Sequence, residues 1–345
     1  MSLVSPSVFA GIPRPIRELK QVEASRKHYV KLRCPRCATE LTRVSYDFIG
    51  QQHEAIECRH CSFELIQQQG IWLALARDRL EYFQRFIADY ETVRKAEGRG
   101  SRNPYFYLEL PYRDLTGHNS WQWGVRAKTY EYIERKLLPA IQGDATEPLA
   151  VLDVGAGNGW LSYRLARMGH RPIAVDLQAN ASDGLGAAEH FRQVLPTLFP
   201  RFQAEMDRLP FGSGQFDCVI FNASFHYSEN YDRTLSEAIR CLRAGGTVVV
   251  ADSPTYSREE SGQRMLEERR ELFQARYGFT SDSLASGEYL TNERLLALEQ
   301  KHRVKWTTHG VWYGLDWSCR PVLARLKGRR EPSQFRIYTA QVKSA

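Results

Sequence analysis

Two periodicities alternate along the second half of this chain. Short, β-prone apolar runs at 149–154, 171–175, 215–222 and 247–251 read as buried strands. The first ends in glycines and is followed by residues 160–168, where Leu161, Leu165 and Met168 share one face at helical spacing and Gly169 supplies a stop. Residues 303–309 and 334–342 alternate apolar and polar positions as strands do, and 258–277 and 291–302 read as charged helices. Upstream, 77–97 reads as an amphipathic helix with Leu80, Phe83, Ile87 and Tyr90 near one face. A flexible link at 98–104, an aromatic stretch at 105–123 and a helix at 125–138 then lead into the first strand. Strands alternating with helices predict an α/β, doubly wound sheet.

The turn after the first strand, Gly155-Ala-Gly157-Asn-Gly159, lets a ligand approach the backbone with no Cβ in the way. Asp176 closes the next strand, where a carboxylate can accept both hydroxyl protons of a ribose. A dinucleotide site wants Gly or Ala where this chain has Trp160, and a bare helix N-terminus for its pyrophosphate. Asp153, just before the glycines, instead suits the ammonium of a methionine moiety and repels a diphosphate. The expected cofactor is S-adenosylmethionine.

Three later segments, Asp207-Arg-Leu-Pro-Phe211, Gln215–Asn222 and Leu242-Arg-Ala-Gly-Gly246 with the strand after it, resemble in order and spacing the motifs of class I methyltransferases. The resemblance is to the large family that includes ubiquinone and menaquinone C-methyltransferases, and it covers residues 149–253. It implies the seven-stranded methyltransferase sheet, with 303–309 and 334–342 as its final strands and the last inserted antiparallel. It also implies that Asp207 holds the adenine amino group and that Asn222 lies beside the methyl sulfonium. Asn222 is followed by Ala-Ser, so the Asn-Pro-Pro-aromatic signature of many amide and exocyclic-amine N-methyltransferases is absent.

A second signal lies upstream. Cys34-Pro-Arg-Cys37 and Cys58-Arg-His-Cys61 are two C-x-x-C knuckles able to give four thiolates to one structural zinc, a closed set with no open position for catalysis. Cys218, Cys241 and Cys319 lie outside them, and with no secretory signal in the sequence a disulfide framework is not expected. The flanking residues resemble the zinc ribbon of the small activator subunit of tRNA, ribosomal RNA and release-factor methyltransferases, with Trp72 where proline is common. That ribbon can stabilise the enzyme, dock a protein partner or help cover the active site.

The expected organisation is a flexible arm (1–29), the zinc ribbon (30–76), a helical and aromatic linker or lid (77–120) and the methyltransferase domain (121–345) with an insertion at 310–333. Tyr107, His118, Trp121, Trp123 and Arg126 are read as walls for cofactor or acceptor. No apolar stretch reaches the roughly eighteen residues that span a bilayer, and a cytoplasmic location is expected. The net charge of +7 is uneven: from Arg320 onward seven basic residues face Glu331 alone, a cluster that attracts RNA or an anionic membrane surface. His226, just past the fourth strand, is the candidate general base, with Tyr256 and Glu259 as weaker alternatives. These features point to a methyltransferase acting on a small-molecule or lipid-like acceptor. The alternatives are an enzyme that methylates ribosomal or transfer RNA, gripped by ribbon and basic tail, and a cofactor-binding scaffold without turnover.

Overall fold

The computed structural model describes residues 28–46 and 55–342. The expected arm therefore lies outside the described residues except for its end, where Tyr29 already belongs to a strand. The ribbon comprises β1 (Tyr29–Arg33), β2 (Glu40–Ser45), β3 (Ile56–Glu57), β4 (Glu64–Gln68) and β5 (Ile71–Leu73). Helices α1 (Arg77–Ala96), α2 (Pro104–Glu109), α3 (Ser120–Tyr132) and α4 (Leu138–Gln142) follow, the last two joined by a π-helical turn.

The second half alternates β6 (Ala150–Val154), α5 (Trp160–Arg167), β7 (Arg171–Asp176), β8 (Arg201–Gln203), β9 (Phe216–Asn222), α6 (Tyr231–Cys241) and β10 (Leu242–Ala251). It continues through β11 (Thr255–Tyr256), α7 (Glu259–Tyr277), β12 (Leu290–Thr291), α8 (Asn292–His302), β13 (Trp306–His309), α9 (Leu315–Leu326) and β14 (Ile337–Gln341).

The main sheet runs β13-β14-β10-β9-β6-β7-β8-β5-β4-β3. Its first seven members are the expected sheet, with β14 antiparallel between β10 and β13. Ribbon strands extend it to ten, because β5 pairs in parallel with the short edge strand β8. Covering that edge satisfies a row of backbone groups that would otherwise face solvent. Trp72, buried in β5, stacks on Phe202 of β8 at 6.2 Å, which gives the departure from proline a physical reason. The β1–β2 hairpin is likewise tied down, since Gly212 donates its N–H to the Lys31 carbonyl at 2.7 Å and Arg33 donates to Pro210 at 3.0 Å.

Both faces of the sheet are covered. Val151, Cys218, Ile220 and Val249 meet Tyr130 of α3 and Leu161 and Leu165 of α5 in one core. Leu152, Val219, Val248 and Val250 meet Leu235 of α6, Leu295 of α8 and the ribbon's Leu32, Leu65 and Trp72 in the other. Odd and even strand positions thus enter opposite cores, as a pleated strand requires.

Three expectations need correction. Leu80 of α1 is exposed while Val93 is buried, because the first turns of the helix meet the body of the protein through Arg79, which pairs with Glu205 at 2.7 Å, and through Phe83 rather than through Leu80. The helix expected from Val125 begins five residues earlier, at Ser120. The link at 98–104 is anchored: Ser101 donates its N–H to the Tyr107 hydroxyl at 3.0 Å, and Pro104 opens α2 under an Asn103 cap.

Candidate active site

The three glycines between β6 and α5 all hold left-handed backbone, with φ of 75°, 56° and 78° for Gly155, Gly157 and Gly159. A Cβ on Gly155 would strike the Ser224 side chain, whose hydroxyl donates to the Val154 carbonyl at 2.5 Å. A Cβ on Gly157 would meet only the Asp183 carbonyl at 3.7 Å and would project into a cleft of about 1110 Å³. That space suits a ligand lying against bare backbone.

Asp153, Asp176, Asp207 and Asn222 all line this cleft, as do the three residues Gly155 to Gly157, while Gly159 caps α5 behind the loop. The Asp176 carboxylate is held by N–H donors from Gly157 and Gln178, each at 2.7 Å, and burial raises its pKa above the usual carboxylate value. The Ser162 hydroxyl donates to Asp153 at 2.8 Å, and burial pushes the Asp153 carboxyl up to about 7. Across the cleft, α1 supplies Phe83, Phe86, Tyr90 and Arg94, a contribution that its apolar pattern alone did not reveal. Arg94 pairs with Asp183, which also accepts from Asn158 of the glycine loop at 3.3 Å. The Gln178 side-chain oxygen is buried in the same cleft with no protein partner.

A second cavity of about 1330 Å³ adjoins the first and shares with it Phe86, Tyr90, Arg94, Arg126, Ala223 and Tyr227. The insertion roofs it: Trp317 of α9 stacks on Trp121 at 5.6 Å, lies 5.2 Å from Phe335 and carries the Arg320 guanidinium 3.9 Å above its ring. Trp123 borders the first cavity, Trp121 the second and Arg126 both, whereas Tyr107 and His118 border neither. Tyr107 instead stacks on His190 at 4.5 Å and donates to the Ser182 carbonyl. Glu259 is engaged by Tyr289 and Arg294, and Tyr256 packs beside Arg330, both away from the two cavities.

His226 borders the second cavity, with Nδ1 3.3 Å from the Ser253 hydroxyl. Burial, reinforced by Arg269 and Arg126, pushes its pKa down to about 3, so the ring is neutral and weakly basic. Asp252, at the carboxyl end of β10, borders the same cavity. One of its oxygens accepts from the Thr129 hydroxyl at 2.6 Å and the other, Oδ2, is buried without a partner. Burial pushes this carboxyl up to about 6. Asp252 and Ala223, at the ends of neighbouring strands, both hold left-handed backbone that costs non-glycine residues energy. Arg126 lies over the Trp123 ring at 5.0 Å and makes no ion pair among the described residues, and burial lowers its pKa.

In the ribbon the four sulfurs of Cys34, Cys37, Cys58 and Cys61 lie within 4.8 Å of one another. The Cys34–Cys61 and Cys37–Cys58 separations are 3.6 and 3.5 Å, far beyond a disulfide bond. A tetrahedron of zinc–thiolate bonds places its sulfurs about 3.8 Å apart. The donor set and spacing therefore fit that metal.

A protein-family model described as a methyltransferase domain matches residues 152–250, leaving the ribbon outside the match. The chain is 32% identical over 176 residues to the ubiquinone/menaquinone biosynthesis C-methyltransferase UbiE of Rhizobium johnstonii, covering 47% of this chain and 68% of that one. It is 31% identical over 127 residues to the malonyl-[acyl-carrier protein] O-methyltransferase of Geobacter sulfurreducens, covering 36% of this chain and 46% of that relative, about half its length. Among solved structures, the YcgJ protein of Bacillus subtilis matches at 16% identity and a TM-score of 0.44, over 61% of this chain and all of that one.

Proposed function

The chain belongs to the class I S-adenosylmethionine-dependent methyltransferases, and from that premise we propose that it methylates a small-molecule or lipid-like acceptor held in the second cavity. The observation that carries this reading is the aromatic-walled cavity itself, which opens against the cofactor cleft at Ala223 and Tyr227.

Bound in the first cleft, S-adenosylmethionine supplies an electrophilic methyl group. On this reading Asp176 holds the ribose hydroxyls, Asp153 faces the ammonium, Asp207 receives the adenine amino group and Asn222 borders the sulfonium. Gly155, Gly157 and Gly159 let the backbone close around the ligand. In-line displacement requires alignment and exclusion of water, which the rings of Phe86, Tyr90 and Tyr227 serve from the shared wall.

Where the acceptor must lose a proton, Asp252 is better suited than His226 to take it. Its unpartnered Oδ2 and a carboxyl titrating near 6 leave it ionised at neutral pH yet basic enough to accept a proton. A ring that titrates near 3 is a far weaker base. Arg126, facing both cavities, is placed to hold an acidic oxygen of the acceptor. In the ribbon, Cys34, Cys37, Cys58 and Cys61 would hold a structural zinc, tying the β1–β2 turn to the β3–β4 turn.

The test is to incubate the protein with methyl-tritiated S-adenosylmethionine and a lysate of its source, then divide the label among RNA, protein and organic extract. Counts in the organic or small-molecule fraction support the reading. Counts in RNA overturn it.

A further inference from the structure

Helix α9 presents two different faces. Trp317 and Arg320 point inward and line the second cavity. Leu315, Cys319, Val322 and Leu326 recur at helical spacing on the other side, and all four are exposed. Leu315, Val322 and Leu326 are 72%, 62% and 78% exposed, and Trp312, just before the helix, is 65% exposed. The helix buries none of its side chains. At its carboxyl end Arg330 is tied to Glu268, whereas Arg325, Lys327 and Arg329 are exposed and make no ion pair among the described residues.

An apolar stripe facing water, an exposed indole at one end and unpaired cations at the other form the pattern of a helix that lies in the plane of a membrane surface. We propose that α9 docks the protein on an anionic lipid bilayer, with the Leu315–Leu326 stripe entering the acyl boundary and the basic end resting on the headgroups. RNA matches the cations but not the stripe, since leucine and valine give bases no flat surface to stack on. A second copy of the chain, meeting this face about a two-fold axis, would bring like patches together and set cation against cation. Because the inner face of the same helix roofs the acceptor cavity, docking brings that cavity up to the bilayer; this last clause rests on the acceptor reading above.

The experiment floats the full-length protein with vesicles of phosphatidylcholine alone and of phosphatidylcholine mixed with phosphatidylglycerol, with no methyl donor present. The expected result is co-flotation with the mixed vesicles only, weakening as salt is raised. Val322→Glu with Leu326→Glu, and separately Arg325→Glu with Lys327→Glu and Arg329→Glu, are each expected to lower the bound fraction about tenfold. S-adenosylhomocysteine affinity, read by calorimetry, is expected to be unchanged in both. Failure to float with anionic vesicles, or flotation that neither variant disturbs, overturns the proposal. A short RNA retarded by the wild type but not by the Val322→Glu, Leu326→Glu protein overturns it in favour of RNA, and a sedimenting dimer dissolved by that variant does so in favour of self-association. No methylation is measured, so the outcome is independent of which acceptor the enzyme uses.

Discussion

Cofactor binding should depend on pH through Asp153. This carboxyl is buried against the Ser162 hydroxyl, and desolvation holds it near 7 in the ligand-free protein. If it faces the cofactor's ammonium, binding favours the ionised form and lowers its pKa. Protonation then competes with binding. Affinity for S-adenosylhomocysteine is level above about pH 7 and falls about tenfold for each pH unit below it, or about 1.4 kcal/mol per unit. Calorimetry near pH 7, repeated in buffers of different ionisation enthalpy, should find about half a proton released per ligand bound.

Asp153→Asn should remove this dependence and weaken binding at neutral pH, leaving only what Asp176 contributes, whose pKa burial also raises. The stability of the ligand-free protein should move the other way. A carboxyl whose pKa is raised on folding stabilises below its unfolded value and loses that contribution as pH climbs through its folded value. The window here lies between about pH 4 and pH 7. Asp153→Asn is therefore expected to unfold at higher urea than wild type at neutral pH and to lose that advantage in acid. An affinity that is flat between about pH 5 and pH 7, with no proton released, would refute the reasoning.

Other expectations follow from the same geometry. Trp72→Ala should cost about 3–5 kcal/mol, read from urea unfolding, because it empties a buried indole site against Phe202 where ribbon and sheet join. Elemental analysis of the wild type should find one zinc per chain, and Cys58→Ser with Cys61→Ser should abolish that binding and lower the melting temperature; a metal-free wild type sinks the assignment. With an acceptor in hand, Asp252→Asn should lower kcat about 10²- to 10⁴-fold and abolish the rise of rate with pH through about 6, while leaving S-adenosylhomocysteine affinity within about twofold. An unchanged pH profile would return the role of base to His226 or show that the acceptor needs none.

Much of the lining of the first cleft was legible because its information is local. Glycines, a carboxylate before them and a second carboxylate closing the next strand occur within one strand–turn–helix–strand unit, and a short segment of backbone carries all of them to the same place. The two C-x-x-C knuckles were legible for a related reason: each pair sits on its own tight turn, and only one join between the pairs is needed. The walls of the second cavity were not, because they converge from distant segments. Asp252 meets Thr129 across 123 residues of chain, and Thr129 lies 2.9 Å from Tyr313 across 184. His226 shows the complementary limit. Its position beyond the fourth strand was readable, but the burial that pushes its pKa down, and the Arg269 and Arg126 charges that reinforce it, arise only once distant elements pack around it.

Residue order alone set the strand succession, the glycine cradle, the four-cysteine set and the insertion between the last two strands, since each depends on neighbours along the chain. The tertiary structure decided that the ribbon would become three more strands of the same sheet, because an open edge at β8 offered unpaired backbone groups and Trp72 found Phe202 to bury against. It also decided that α1 would wall the first cleft and that α9 would turn its indole inward and its leucines outward. Periodicity tells which residues share a face, but only the packed neighbours determine whether that face meets the core, a ligand or the solvent.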